Sequence, residues 1–374
     1  MDDSVYEQYA DSMDEGLFDL STTEERRART LHEEAIVIDG CVPTTAYLDD
    51  PTYRDHLQRG GVTAAAITAA SRVAYPEATR KVERIRSLVA EHDDAFTVAE
   101  SAADIRAAKR ADKTAILLAF QDTMPIIPMD RMILEGGLEF LQAFDRLGVR
   151  VIQLTYNSLN YVGAGCCERV DPGLSNFGQN LVEELNRLGI VIDLSHCGDR
   201  TTMEAIEHSA EPVVCTHAGA RALSNLERNK TDEQIEAIGA GGGVVGVSVF
   251  PPTVKSHPDT HEVQESTIHD VLDHVDHVVD VAGVDHVAFG SDMSDQSLDR
   301  GTTPPYAAYR NFRPDFPAVY GRGPIDHYEP FPRGLHRHTK LPNLTRGLVT
   351  RGYADDDIRK ILGGNLLRVF ETVR

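Results

Sequence analysis

Two histidines close consecutive apolar runs. His196 ends Ile190-Val-Ile-Asp-Leu-Ser-His196, and His217 ends Pro212-Val-Val-Cys-Thr-His217. A third run, His286-Val-Ala-Phe-Gly-Ser-Asp292, ends in an aspartate. Runs this apolar read as strands buried on both faces, so a polar residue at the end of each needs a separate reason to be there. Neutral imidazoles set side by side on neighbouring strands suit Zn2+ or a similar borderline ion. An aspartate at the same level either adds a ligand or moves protons. The plainer alternative is a pair of strand-end histidines bonded to backbone, with an aspartate that caps a helix or pairs with an arginine. Two histidines at identical strand-end positions favour the metal.

These residues need a frame that brings strand ends together. Eight short β-rich runs occur: 36–40, 62–68, 115–121, 149–156, 190–196, 213–217, 244–250 and 287–292. Helical patterns separate them, at 77–91, 138–147, 177–188, 201–208 and 267–282, with 344–351 and 356–373 closing the chain. Strands alternating with helices imply parallel pairing, and eight such units imply an α/β fold of the closed (β/α)8 TIM-barrel type. A doubly wound open sheet would show a Gly-rich phosphate turn after its first strand, and Asp39-Gly-Cys-Val-Pro-Thr-Thr is not one. The whole of 1–374 is expected to be one barrel domain, with a helical cap over 1–35. The irregular stretch 294–341 is expected to form a lid or specificity segment.

The strand-end residues then converge on one rim: Asp39 and Cys41, Thr68, Gln121 and Asp122, Tyr156 and Asn157, His196, His217, Ser248 and Asp292. His269, His274 and His277 fall in a helical stretch and are expected on its solvated face. His327, His336 and His338 fall in the irregular segment, open to substrate contact.

Composition narrows the function classes. A formal charge of -22 argues against nucleic acid and anionic membranes as partners. No run of 18 apolar residues exists, and the first residues lack a basic-then-apolar pattern, so a soluble, cytoplasmic protein is expected. The five cysteines are an odd number without CxxC spacing, and adjacent Cys166 and Cys167 do not easily bridge each other. Reduced thiols are expected.

Several stretches in order resemble the membrane (renal-type) dipeptidases, peptidase family M19, among the amidohydrolase-like barrels. They are 173–178, 188–196, 212–221, Arg228-Asn229, Gly241-Gly-Gly-Val-Val-Gly246, 283–292 and Gly363-Gly-Asn-Leu-Leu-Arg-Val369. The resemblance implies a metal-activated water acting on an amide bond, a dipeptide substrate and a homodimer. It implies that His196 and His217 hold one zinc and that Asp292 transfers protons. It also implies that Arg228, with Asn229 beside it, binds the substrate carboxylate.

Four positions depart from the family pattern. Cys41 and Pro43 stand where a histidine and an aspartate would bind a second metal, Gln121 replaces a bridging glutamate, and Tyr156 replaces an oxyanion-stabilising histidine. Two cations bridged by a neutral amide would be poorly compensated. One Zn2+ is therefore expected, on His196 and His217, with Gln121 as an oxygen ligand, Cys41 as a thiolate, and Tyr156 as a catalytic donor. Two functions stay open: a metallodipeptidase-like hydrolase, or a weakly active or non-catalytic relative that binds a small molecule at the barrel mouth.

Overall fold

The computed structural model describes residues 16–127, 138–293 and 331–374. Nine strands form one parallel sheet: β1 Ile38–Val42, β2 Ala64–Ala70, β3 Phe96–Val98, β4 Thr114–Phe120, β5 Val149–Gln153, β6 Val191–Asp193, β7 Val214–Ala218, β8 Val244–Val247 and β9 Val287–Phe289. Eight of them follow the order β1-β2-β4-β5-β6-β7-β8-β9, with the helices between them, in the arrangement of the expected (β/α)8 barrel, nearly closed. The ninth, β3, was not expected from the pattern. At three residues it is too short to show a period, and it pairs with β4 outside the barrel order.

Strand residues alternate between two apolar clusters. Ala64 and Ala66 belong to one, Ala65 and Ile67 to the other; on β4, Leu117 and Ala119 alternate with Ile116, Leu118 and Phe120 in the same way. Burial on both faces is what makes these runs uniformly apolar in sequence.

The seam between β9 and β1 is closed by other means than a ladder. Asp292 N donates to Cys41 O at 2.9 Å, Ser291 Oγ to the same carbonyl at 3.2 Å, and Ser291 N to Asp39 Oδ1 at 2.8 Å. All three bonds involve Ser291 or Asp292, just past the carboxyl end of β9, where the site is built.

The helix Thr22–Glu34 begins with a capping box between Ser21 and Glu24. It is fixed to the end of the chain by Arg346 on Glu25 and Arg27 on Asp355. At its far end His32 is buried between Thr345 Oγ1 (2.7 Å) and Gly60 O (2.9 Å). Burial holds this imidazole neutral and lowers its pKa to about 4. The unfolded chain takes up that proton near pH 6.5, so His32 contributes stability that is complete above that pH and drains away as pH falls toward 4. The loss is about 3 kcal/mol at most. Urea midpoints measured from pH 7 to pH 4 are expected to fall more steeply in the wild-type protein than in His32→Asn. Parallel profiles would remove His32 from the account.

The final helix expected over 356–373 is two helices, Asp355–Arg359 and Asn365–Val373, joined by a π-turn over Lys360–Gly364. The break serves close approach: a β-carbon on Gly363 would run into the Ile36 carbonyl just before β1. Among the three helical histidines, His269 is exposed and His277 half-buried, but His274 is fully buried. Its Nδ1 accepts from Ala220 N at 2.9 Å and its Nε2 donates to Val254 O at 2.8 Å. The expectation of a solvated face is corrected there: a histidine with two backbone partners fits an apolar helix face. Residues 294–330 of the expected lid lie outside the described residues. Its end is packed, with Phe331, Leu335, His338 and Leu341 all buried.

Candidate metal centre

The strands that carry Cys41 and His217 are both bulged at those residues. The register of β1 on β2 shifts between Asp39 and Val42, and that of β7 on β8 shifts between Cys215 and Ala218. A bulge breaks the in-out alternation and re-aims the side chain it carries. Space for β7 to lean inward comes from Gly40, Gly246 and Gly290, which surround the Thr216 carbonyl; a β-carbon on Gly246 or Gly290 would collide with it. The result sets His217 against the opposite strand ends. A His217 nitrogen, Cys41 Sγ and an Asp292 oxygen all lie within 4.8 Å of one another.

His196 completes the cluster, its Nε2 3.1 Å from Nε2 of His217. The protons on these rings follow from their outer partners. Nδ1 of His196 faces Asn157 Oδ1 at 2.6 Å, an acceptor, so that nitrogen carries the hydrogen. Thr216 Oγ1 gives its one proton to Asp193 Oδ2 at 2.6 Å, so His217 Nδ1, 2.7 Å from the same oxygen, must donate to it. Each Nε2 is therefore left with a lone pair, and the two lone pairs face each other. Burial and the Arg228 cation hold both imidazoles far below the usual histidine range, so neither takes up a bridging proton near neutral pH. Two acceptors at hydrogen-bond distance repel unless a cation lies between them. Two nitrogens bound tetrahedrally at about 2.0–2.1 Å would stand roughly 3.3 Å apart, close to the separation here.

The carboxylates divide sharply by what they hold. Asp193 accepts from the backbone N–H and hydroxyl groups of both Ser195 and Thr216. Asp39 accepts from Cys41 N and Ser291 N, and its second oxygen meets His338 Nε2 at 2.9 Å. Asp39 and His338 are both fully buried, so the substrate contact left open for His338 is replaced by a structural bond. Among the described residues, Asp292 alone keeps its carboxylate turned to the cluster, with Oδ1 4.0 Å from Cys41 Sγ. It holds a left-handed backbone, φ 52°, a conformation aspartate tolerates better than most residues. Burial, with Asp39 and Asp193 nearby, raises its pKa to about 7 against the lowering pull of Arg228. The Cys41 thiol is pushed well up by burial and by Asp292, Asp39 and Asp193, so only the field of a cation would release its proton.

The remaining candidates have these places. Gln121 turns its amide nitrogen to Cys41 Sγ at 3.1 Å. The Tyr156 ring stacks on His196, centroids 4.3 Å apart and planes 19° from parallel. Arg228 is buried, its two terminal nitrogens donating to Ser195 O and, at 2.6 Å, to His217 O, and so grips the ends of both histidine strands. Asn229, also buried, holds its own loop through Gly219 N, Ser224 O and Thr253 O. Sequence reading named Asn157 and Asp39 at the rim without roles, and missed Asp193 and Thr216. The Asp-Leu-Ser-His and Cys-Thr-His endings carry the signal: a carboxylate and hydroxyls beside each histidine supply the outer partners a metal ligand needs.

A family model described as membrane dipeptidase (peptidase family M19) matches residues 25–300 and 323–374. Dipeptidase tcpJ of Claviceps purpurea is 26% identical over 296 residues, covering 79% of this chain and 59% of that protein. An uncharacterized dipeptidase of Schizosaccharomyces pombe is 29% identical over 297 residues, 78% of this chain and 61% of its own. The chain thus spans about three fifths of the length of these curated relatives. Among solved structures, an amidohydrolase from Pseudomonas aeruginosa matches with a TM-score of 0.79 at 31% identity, over 92% of this chain and 98% of that one. A metallo peptidase from Rhodobacter sphaeroides, liganded with a phosphinate mimic of the dipeptide L-Ala-D-Ala, shares the fold with a TM-score of 0.70 at 20% identity, over 91% and 100% of the two chains. Among the described residues no helix is long and apolar enough to cross a membrane.

Proposed function

The chain belongs to the membrane dipeptidase family, peptidase M19, and from that premise we propose that it is a metal-dependent hydrolase. Its substrate is a dipeptide or a similar small molecule with a cleavable C–N bond. The observation that carries the reading is the pair of facing Nε2 lone pairs on His196 and His217, each ring fixed by an outer acceptor. With Cys41 and Asp292 beside His217, the donor set fits one borderline divalent ion, and Zn2+ is the natural choice.

Charge favours one ion over two. Cys41 as a thiolate and ionised Asp292 together balance a single dication. Asp39 and Asp193 are already spent on backbone, hydroxyl and imidazole donors, so a second ion would find no free carboxylate among the described residues of this cluster. A bound divalent ion supplies Lewis-acid polarisation of a carbonyl and lowers the pKa of water. In this reading Asp292 takes the proton from the attacking water and delivers it to the leaving amine. The Tyr156 phenol, held by its stack on His196, serves the developing oxyanion. Arg228 keeps the two histidine strands in register, and Gln121 steadies Cys41. A homodimer belongs to the same reading and rests on the family resemblance.

The test is metal content followed by turnover. Purified protein loaded with Zn2+, Mn2+ or Co2+ is expected to retain about one ion per chain and to hydrolyse part of a dipeptide panel. Retention of no metal together with no turnover would leave the non-catalytic binder, which the replacements at Cys41, Pro43 and Gln121 favour.

A further inference from the structure

A cavity of about 250 Å3 opens at the end of the barrel opposite the metal cluster. Thr63, just before β2, and Thr114, the first residue of β4, both line it. Three helices end there: Thr22–Glu34 brings His32 and Glu33, Pro51–Arg59 brings Arg59, and Ala102–Arg110 brings Lys109. After the third helix the chain folds back. Asp112 takes the left-handed conformation, φ 55°, while Asp112 N donates to Lys109 O at 3.3 Å and Lys113 N to Ala108 O at 3.0 Å. These are the bonds of a Schellman cap, with aspartate in place of the usual glycine, and they return Lys113 to the cavity that Lys109 lines. The opposite wall is tightly set: a β-carbon on Gly61 would meet His32 Nε2 at 2.6 Å, and that ring is pinned between Thr345 and Gly60.

The charges on this wall are unusual for the chain. It has 59 acidic residues against 37 basic ones, and only seven of the latter are lysines. Lys81, Lys255 and Lys360 each meet a carboxylate. Lys109 and Lys113 are half-buried, yet no carboxylate among the described residues pairs with either. Asp112 and Glu33 act on Lys109 only through space, and burial outweighs them, lowering its pKa. Arg59 meets Asp55 at 3.7 Å, a long contact. The carboxyl end of a helix favours a cation, but open water would serve a lone lysine there. Three cations that line one concavity, two of them without a counter-ion, leave a charge for a ligand to meet.

We propose that this cavity binds a small oxyanion, a phosphate or a short dicarboxylate, through Lys109, Lys113 and Arg59. Its volume falls below the range that holds drug-sized ligands, so the ligand is a compact one. Ammonium groups meet such an anion as point charges, and the Arg59 fork adds direction. Glu33 and Asp112 stand exposed on the same wall and oppose the anion, which keeps the site selective for a ligand that reaches both lysines. A bound anion would tie the ends of three helices to the starts of two strands, so its effect is on the fold and not on the hydrolytic step. The proposal does not depend on the metal or on the dipeptide reading.

Calorimetry on the metal-loaded protein tests it, with inorganic phosphate and with malonate, the ionic strength held constant by potassium chloride. The wild-type protein is expected to bind at least one of them saturably, and the preferred anion identifies the source. Lys109→Met and Lys113→Met should each weaken that binding by about 10-fold or more, the scale of a hydrogen bond to a charged group. Lys109→Arg should keep most of it, and Glu33→Gln should tighten it. The anion should also raise the melting temperature of the wild-type protein, and fail to do so when both lysines are methionine. Metal content and turnover should be unchanged in these variants, whose substitutions lie at the far end of the barrel from the cluster. Absence of saturable binding by either anion overturns the proposal. So does binding that survives both lysine replacements undiminished, which would put the anion at the barrel mouth instead.

Discussion

Replacing His217 by alanine is expected to abolish retention of a divalent metal. The side chain is the meeting point of the cluster, since its Nε2 faces that of His196 and one of its nitrogens lies within 4.8 Å of both Cys41 Sγ and an Asp292 oxygen. Removing it leaves no second imidazole, so a cation loses one of its two nitrogen bonds, and His196 Nε2 no longer faces a lone pair that favours a cation between them. Thr216→Val supplies the scale. It keeps the imidazole but removes the hydroxyl that joins His217 Nδ1 to Asp193; loss of such an outer partner costs about 10–100-fold in affinity. His217→Ala should exceed that, read as metal per chain after dialysis and as a chelator competition constant. An alanine variant that holds metal as tightly as Thr216→Val would show that the ion sits elsewhere.

Asp292→Asn is expected to separate chemistry from binding. The amide keeps the shape, and Asp292 N can still donate to Cys41 O across the seam. The ion should therefore stay, held by the histidines, while turnover falls by about 10²-fold or more for want of a proton acceptor. The pH profile sharpens this. With its pKa raised to about 7 by burial and by the neighbouring carboxylates, the Asp292 carboxylate is active as a base only when ionised. Rate should rise with pH through an acid limb, placed below 7 by the pull of a bound cation. The Asp292→Asn protein should lack that limb. Full activity in the variant, or an unchanged acid limb, would take the proton transfer away from Asp292.

The barrel was legible because burial on both faces leaves β-rich runs that no helix period explains, as in 115–121 and 244–250. His196, His217 and Asp292 were legible for the complementary reason: polar residues ending such runs have nothing local to satisfy. What could not be read was the identity of distant partners. The bond between His338 and Asp39 joins residues 299 positions apart, and no local pattern announces it. Arg228 and Asn229 were found by their place in a motif, yet their nitrogens turn to backbone carbonyls, a choice set by tertiary packing. β3 is too short for any period, and His274 looked solvated because periodicity does not distinguish a histidine bonded to buried backbone from one in water. The bulges at Cys41 and His217 depend on glycines on other strands, which a single run does not reveal.

The seam between β9 and β1 also divides the site in time. His196, His217, Asn157, Asp193, Thr216 and Arg228 all fall between positions 157 and 228, so a growing chain can assemble the two-imidazole half from nearby segments as they emerge. The other half is stretched across the polypeptide: Cys41 and Asp39 come early, Asp292 much later, and His338, which secures Asp39, later still. Those contacts carry the entropy of closing nearly the whole barrel. One half of the centre is thus local in sequence, and the other depends on contacts that span nearly the whole ring. A half-site that captures its ion before closure would hold that ion in place as a template on which Cys41 and Asp292 finally converge.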